Sequence, residues 1–423
     1  TTSSDCGILI PLFIKVGFKK MINLLNGVFA LSIVKINKET FEIEMNIARD
    51  RLGVRPLFYS LNDDLFTFAS EIKSIANITT NINIFPPGSF AIISSTDHKL
   101  KIIPYYSFKY TESLEDNSEE NILSLIRIYF TKAVKKRLMS HRPFGSLLSG
   151  GLDSSLVSAL TRRLSKTKIK TFSIAMSDGT DIKYAEMVAK FIDSDHKTIQ
   201  LSKDDFLAAI ETTIETIESY DITTVRASVG QYLVSKYISE NTDIKVVMSG
   251  DGSDELCSGY IYNYNAPNDE ELHKEAEKRL EEIHLYDVLR ADRATAYHGL
   301  EIRVPFLDQD FINMYMKIPA GLRRPKEGRM EKYLLRKAFS GQNLIPDEVL
   351  WRKKEAFSDG ISSEKESWFE IITKYIDTKV TDEEYKRESL KFTHCTPTSK
   401  EAYYYRKIFC KIYGNNNSRL IPT

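Results

Sequence analysis

Short apolar, β-rich runs fill the first hundred residues. Positions 27–36 (GVFALSIVKI), 41–48, 57–60 and 65–70 are separated by turns of Asn, Asp, Gly and Lys, the pattern of antiparallel strands. Pro86-Pro87-Gly88 breaks the chain, and 90–94 with 100–103 predicts one more hairpin. Between 111 and 121 the carboxylates Glu112, Glu115, Asp116, Glu119 and Glu120 gather with no base and little apolar content, which reads as a linker. A β-rich domain at 1–110 is therefore expected, with the linker at 111–121.

Beyond it the period changes. Ile122, Leu125, Ile126, Tyr129 and Ala133 make a helical stripe over 122–137. Strands are predicted at 144–148, 171–176 and 245–249, and helices at 156–164, 185–191 and 231–239. Such alternation argues for a parallel sheet with helices on both faces, where ligands bind beyond the carboxyl ends of the strands. From 269 to 413 the chain is mostly helical and charged, punctuated by Pro305, Pro319, Pro325 and Pro346. The second domain is set at 122–413 and a polar tail, with Asn415-Asn416-Asn417, at 414–423.

Composition narrows the function classes. The 423 residues carry 58 Lys+Arg and 58 Asp+Glu, a net charge of zero. That excludes the basic excess of a nucleic-acid or anionic-membrane binder. An apolar share of 42% with 11% aromatics is ample for a core. No apolar run reaches the ~18 residues of a membrane span; the longest, 7–16, contains Pro11 and leads into the domain rather than reading as a signal peptide. Cys6, Cys257, Cys395 and Cys410 show no CxxC spacing, so neither a disulfide framework nor a zinc site is expected, and a reducing cytoplasm fits. The chain starts at Thr1, without Met.

The sharpest chemical signal is Ser149-Gly150-Gly151-Leu152-Asp153-Ser154-Ser155, directly after a predicted strand and before a helix. Two glycines admit a ligand to the backbone, Ser154 and Ser155 add hydroxyls, and the helix start adds free N–H groups and a partial positive charge. The turn suits a phosphate or pyrophosphate. It lacks the GxxxxGK[ST] spacing and lysine of a Walker A loop.

This heptad resembles the pyrophosphate loop of the ATP-pyrophosphatase family. Further along come Ile222-Thr223-Thr224-Val225-Arg226-Ala227-Ser228, Ser249-Gly250-Asp251-Gly252-Ser253-Asp254-Glu255-Leu256, Arg303-Val304-Pro305-Phe306-Leu307-Asp308 and Trp351-Arg352-Lys353-Lys354-Glu355-Ala356-Phe357-Ser358-Asp359-Gly360. In that order they resemble the eukaryote-like, glutamine-hydrolysing asparagine synthetases. The resemblance implies an α/β synthetase domain of the ATP-pyrophosphatase type, preceded by a partial, antiparallel β-rich N-terminal-nucleophile amidotransferase domain. The implied reaction is ATP-dependent formation of asparagine from aspartate and an ammonia source, glutamine in the intact family, through β-aspartyl-AMP.

By that resemblance Leu148 and Ile174 pack the adenine ring. Ser149, Gly150, Gly151, Asp153, Ser154 and Ser155 hold pyrophosphate, and Ser249 and Gly250 bind the nucleotide through backbone groups. Asp153 and Asp254 share Mg2+, as hard oxygen ligands do. Lys354 brings positive charge to the α-phosphate. Thr223, Thr224 and Arg226 hold the aspartate, Arg226 as a carboxylate clamp. Partners are then small molecules (aspartate, ATP, glutamine or ammonia), with no nucleic acid or membrane, and a homodimer is compatible. Arg303 and Asp308 read as a structural ion pair, His196 and His298 as structural, and the aromatic run 403–405 as packing.

The first domain resembles the later part of the family's glutaminase domain, through Asn26-Gly27-Val28-Phe29-Ala30, Ala48-Arg49-Asp50-Arg51-Leu52-Gly53-Val54-Arg55-Pro56-Leu57 and Ala69-Ser70-Glu71. Ser4-Asp5-Cys6 matches the segment that holds the glutamine amino group, so Asp5 is implied as a glutamine contact, although Gly7 replaces an acidic neighbour. The family's N-terminal cysteine does not precede it, and the chain as it stands is not expected to hydrolyse glutamine. A fragment of a longer gene and a natural truncation using ammonia both stay open. Asp251 stands where the family has Glu, a residue thought to help form the acyl-adenylate and shuttle a proton. Rival readings are a related amide-forming or β-lactam synthetase and a degenerate nucleotide-binding relative.

Overall fold

The described residues begin in helix, not strand. In the computed structural model, which describes residues 4–62, 65–96, 99–176, 179–354, 360–362 and 366–422, Leu9–Val16 and Phe18–Leu24 are α-helices. Their apolar residues repeat at three and four: Leu9, Leu12, Phe13 and Val16, then Phe18, Met21 and Ile22. Phe18, Met21 and Ile22 are buried with Ile33, Ala48 and Phe90 of the following strands, and this packing selects helix.

The chain divides into two units, Thr1–Lys109 and Tyr110–Thr423. In the first, β1 (Ala30–Ile36), β2 (Ile43–Arg49), β3 (Phe58–Asn62), β4 (Leu65–Ala69), β5 (Asn83–Ile84), β6 (Ser89–Ser94) and β7 (Ile102–Pro104) form two antiparallel sheets, β1-β2-β6-β7 and β4-β3-β5. β5, a two-residue strand, had no signal of its own in the sequence. Register runs from Ala30 opposite Arg49 to Ile36 opposite Ile43. Ile47, Leu57, Phe85, Ala91 and Ile93 make a second buried cluster.

The second unit holds one parallel sheet of β8 (Phe144–Leu147), β9 (Lys170–Met176), β10 (Asp195–Leu201), β11 (Val246–Met248) and β12 (Glu301–Arg303), in the order β10-β9-β8-β11-β12. Helices Leu152–Leu164 and Asp181–Phe191 separate β8, β9 and β10; helix Ile222–Asn241 precedes β11. The chain runs outward from β8 to β10 and then returns to the other side of β8. The β8/β11 boundary is thus the switch point, where open α/β sheets bind ligands. β10 and β12 escaped the sequence reading. β10 is an edge strand whose residues other than Ile199 keep some exposure, and β12 is three residues long.

Residues 111–118 precede helix Glu119–Lys136, which Ser118 caps by accepting from the Asn121 N–H. Phe130 from that helix packs its ring 4.3 Å from that of Phe306 and 5.1 Å from that of Phe311. Tyr405 is fully buried, while the Tyr403 and Tyr404 hydroxyls donate to Glu384 and Glu211. The expected polar tail is instead packed. Asn415–Leu420 is a 3-10 turn with Asn417 and Ser418 buried. Asn417 donates to the Tyr413 carbonyl, and Tyr220 donates to that of Ser418. The expected Arg303–Asp308 pair is corrected too: Asp308 binds Lys136 and Arg137, and Arg303 binds Glu301. Among the described residues, no helix is long and apolar enough to cross a membrane.

Candidate active site

β8 ends at Leu147, and Leu148 continues its pairing by donating to the Phe172 carbonyl. The chain then turns through Ser149–Gly151 into helix Leu152–Leu164. Gly150 sits at φ +84°, and a Cβ there would lie 2.5 Å from the Ala185 nitrogen, so only glycine fits. At the end of β11, Gly250 passes so close that a Cβ would meet the Ser154 nitrogen at 2.7 Å. Glycine is thus what lets the two loops stand side by side. Ser154 Oγ accepts from the Ser149 N–H and locks the turn on itself. Arg352 braces it, donating to Asp181 at 2.8 Å and lying 3.9 Å over the Tyr184 ring.

These strand ends open into a cavity of about 630 Å3. Leu148, Phe172 and Ile174 give it an apolar wall, and Ser149, Gly151, Asp153, Ser154, Ser249, Gly250, Asp251 and Asp254 line it near the turn. Ser155 does not reach it. The side chain is fully buried one residue further round the helix, and its hydroxyl has no partner among the described residues. Gly150 acts on the cavity through the shape of the turn.

Thr223, Thr224, Ala227, Gln231 and Val234 line one wall, the three-and-four spacing of a single face of helix Ile222–Asn241. Arg226 falls off that face. Its guanidinium binds Glu401 through two hydrogen bonds of 2.8 and 2.5 Å and lies 4.6 Å over Phe369. The expected clamp on aspartate is therefore corrected: in this structure Arg226 ties the wall helix to helix Lys400–Tyr413. Asp5 lies exposed in the turn Asp5–Ile8, its carboxylate accepting from the Cys6 N–H at 2.9 Å. Positions 355–359 of the Trp351 motif lie outside the described residues.

A group of four charged side chains lines the cavity near the turn. Lys332, 3% exposed, places Nζ 2.6 Å from Asp153 Oδ2 and 2.6 Å from Asp254 Oδ1. Lys354 Nζ is 2.5 Å from the same Asp254 oxygen and 4.5 Å over the Tyr260 ring. Asp153 Oδ1 accepts from the Ser253 hydroxyl at 2.7 Å. Burial would raise the Asp254 pKa, but Lys332 and Lys354 outweigh it and hold the carboxyl well below the usual range. Burial likewise opposes the Lys332 charge, and Asp153 and Asp254 overcome it.

A second charged group lies alongside. Arg290 Nη2 donates to Asp251 Oδ1 at 2.9 Å and to Asp287 Oδ1 at 2.8 Å, while the Ser249 hydroxyl donates to Asp251. Burial raises the Asp251 pKa despite Arg290. Glu255, buried, accepts from Tyr260; burial, then Asp287 and Asp254, push its carboxyl far up. Lys332 and Arg290 were missed in the sequence. Lys332 stands 179 positions from Asp153 with no motif around it, and the available hint was that two carboxylates meeting at one point require a cation. His196 sits at β10 between the Thr171 and Ser173 hydroxyls, where burial lowers its pKa to about 4. That is a structural position.

A glycine turn at the switch point of a parallel sheet, facing two lysines and an apolar slot, defines the class: an ATP-binding α/β enzyme of the pyrophosphatase-loop type. The comparisons agree and go further. The Asparagine synthase family matches residues 125–270 and 263–420, and the Glutamine amidotransferase domain family matches residues 1–101. An asparagine synthetase (glutamine-hydrolyzing) of Gallus gallus is 44% identical over 446 residues, 99% of this chain and 78% of the relative. Those of Homo sapiens and Mus musculus are each 43% identical over 439 residues, 97% of this chain and 77% of theirs. A solved NMN synthetase of Francisella tularensis, at TM-score 0.30 and 11% identity over 73% of this chain and 98% of that one, is too distant to carry an inference. The chain belongs to the family of glutamine-hydrolysing asparagine synthetases.

Proposed function

We propose that this protein forms L-asparagine from L-aspartate, ATP and an ammonia source, glutamine in its family, through β-aspartyl-AMP. The observation that carries the reading is the Ser149–Ser154 turn at the β8/β11 switch point, facing Lys332 and Lys354 across Asp153 and Asp254. Adenine packs on Leu148 and Ile174, and the leaving pyrophosphate lies on the turn and the helix start. The aspartate side-chain carboxylate, held near Thr223 and Thr224, attacks the α-phosphorus, and the bond to the pyrophosphate oxygen breaks. Lys354 meets the charge that grows on the α-phosphate oxygens. Ammonia then adds to the acyl carbon, and the acyl–oxygen bond to AMP breaks. Asp251, fixed by Arg290, takes a proton from the attacking nitrogen.

The donor set suits a magnesium ion. Asp153 and Asp254 offer hard oxygens to a common point, and Mg2+ is usually held by one or two carboxylates together with phosphate and water oxygens. Among the described residues no group of three or more His, Cys, Asp or Glu is placed to hold a metal alone, which favours arrival with the nucleotide. The ion would neutralise the departing pyrophosphate. A cytoplasmic setting belongs to the same reading, since all four cysteines are free thiols.

The test is pyrophosphate release from ATP and Mg2+ by the purified protein. Release that depends on aspartate, with asparagine formed on adding ammonium, is expected. Nucleotide binding without turnover would mark a degenerate relative, and turnover only with another amino acid would mark a different amide-forming enzyme.

A further inference from the structure

Lys332 is an unusual lysine. It is non-glycine at φ +57°, in the left-handed region, at the start of helix Tyr333–Phe339. Its stem runs where Gly259 leaves room, since a Cβ on Gly259 would lie 2.1 Å from Lys332 Cε. Backbone and neighbour alike direct the ammonium to one place, between Asp153 and Asp254. The proposal about it rests on the reading that these two carboxylates hold the metal.

The charges of the cluster sum to zero. Asp153 and Asp254 carry two negative charges, Lys332 and Lys354 two positive, and Lys332 touches both carboxylates while Lys354 touches Asp254. A divalent cation arriving alone would meet carboxylates already neutralised. It would leave an excess of two positive charges beside an ammonium that is 3% exposed, where water screens poorly. A cation arriving with a polyphosphate brings its own negative charge, and the displaced ammonium groups can turn to phosphate oxygens. We propose that Lys332 is a resident counter-cation that makes divalent-metal binding at Asp153 and Asp254 conditional on a polyphosphate. The site then stays charge-balanced when empty and admits metal and pyrophosphate moiety as a unit.

The experiment uses the full chain and needs no turnover. Mn2+ binding is followed by electron paramagnetic resonance, and thermal stability with Mg2+, with inorganic pyrophosphate, or with both. For the unaltered protein, either ion alone should leave Tm nearly unchanged and both together should raise it by several degrees, with Mn2+ alone binding only weakly and pyrophosphate lowering its midpoint. In Lys332→Met, which keeps the stem and removes the charge, Mn2+ alone should bind with a midpoint lower by roughly tenfold or more. Lys354→Met, which relieves only Asp254, should show a smaller gain in the same direction, and it provides the comparison if Lys332→Met does not fold. Tight Mn2+ binding by the unaltered protein without pyrophosphate would overturn the proposal and leave the metal assignment standing. So would variants that bind Mn2+ alone no better than their parent. No response to Mg2+ and pyrophosphate together would overturn the proposal and the site reading with it.

Discussion

Each unit gathers a cluster of charged side chains, and the two are wired differently. In the first unit Arg49 and Asp50, both 2% exposed, spend their hydrogen bonds on main chain. Asp50 accepts from the N–H groups of Phe29, Leu52, Val54 and Arg55, and Arg49 donates to the carbonyls of Gly53, Arg55 and Phe85. In the second unit Asp153, Asp254, Lys332 and Lys354 bind mostly one another and line a cavity. Backbone partners cannot be exchanged without unfolding a loop. Side-chain partners can be traded for a ligand's charges. The first arrangement holds a fold, and the second is fitted to a reaction, although both look alike as charged residues in a motif.

Substitutions can break or sharpen that contrast. The largest effect is expected for Asp254→Ala, which leaves two lysines facing one carboxylate: aspartate-dependent pyrophosphate release should fall by about 10³-fold or more, with the circular dichroism spectrum kept. Next is Asp50→Ala, which leaves four N–H groups without their acceptor and removes the negative charge beside Arg49. Denaturant unfolding of the first unit should show a loss of about 3 kcal/mol, while ammonia-dependent synthesis by the surviving folded protein stays near normal. A smaller effect separates the Asp251 variants. Asp251→Asn should lower ammonia-dependent synthesis by roughly 10²-fold, and Asp251→Glu far less, because glutamate keeps the charge that Arg290 holds.

The smallest effect concerns pH. His196 is lowered to about 4 by burial, whereas an unfolded histidine titrates near 6.5. Between those values the unfolded chain binds the extra proton, so stability falls as pH falls from about 6.5 towards 4. His196→Gln should show a shallower fall over that window in thermal unfolding, by on the order of 1–2 kcal/mol at the acid end.

What the sequence disclosed was local. The Ser149–Ser155 turn could be read because its glycines, hydroxyls and flanking strand are contiguous, and β1, β2 and β6 because each is a β-rich run bounded by turn residues. What it hid depended on contacts across the chain. The helices at Leu9–Val16 and Phe18–Leu24 became distinguishable from strands only through the cluster they bury with β1 and β6. Arg226 looked like a substrate clamp until the start of its helix at Ile222 fixed which face meets the cavity. Lys332 has no local signature at all, since its meaning comes from two aspartates brought to it by the ends of β8 and β11.

The account stands on the cavity's being the place where aspartate is adenylylated, and hydroxylamine tests that most directly. Incubated with ATP, Mg2+, aspartate and hydroxylamine in place of ammonia, the protein should yield β-aspartyl hydroxamate and AMP in equal amounts, and Asp254→Ala should yield neither above background. ATP cleavage to ADP, or AMP formed in the presence of aspartate with no trapped hydroxamate, would contradict the assignment.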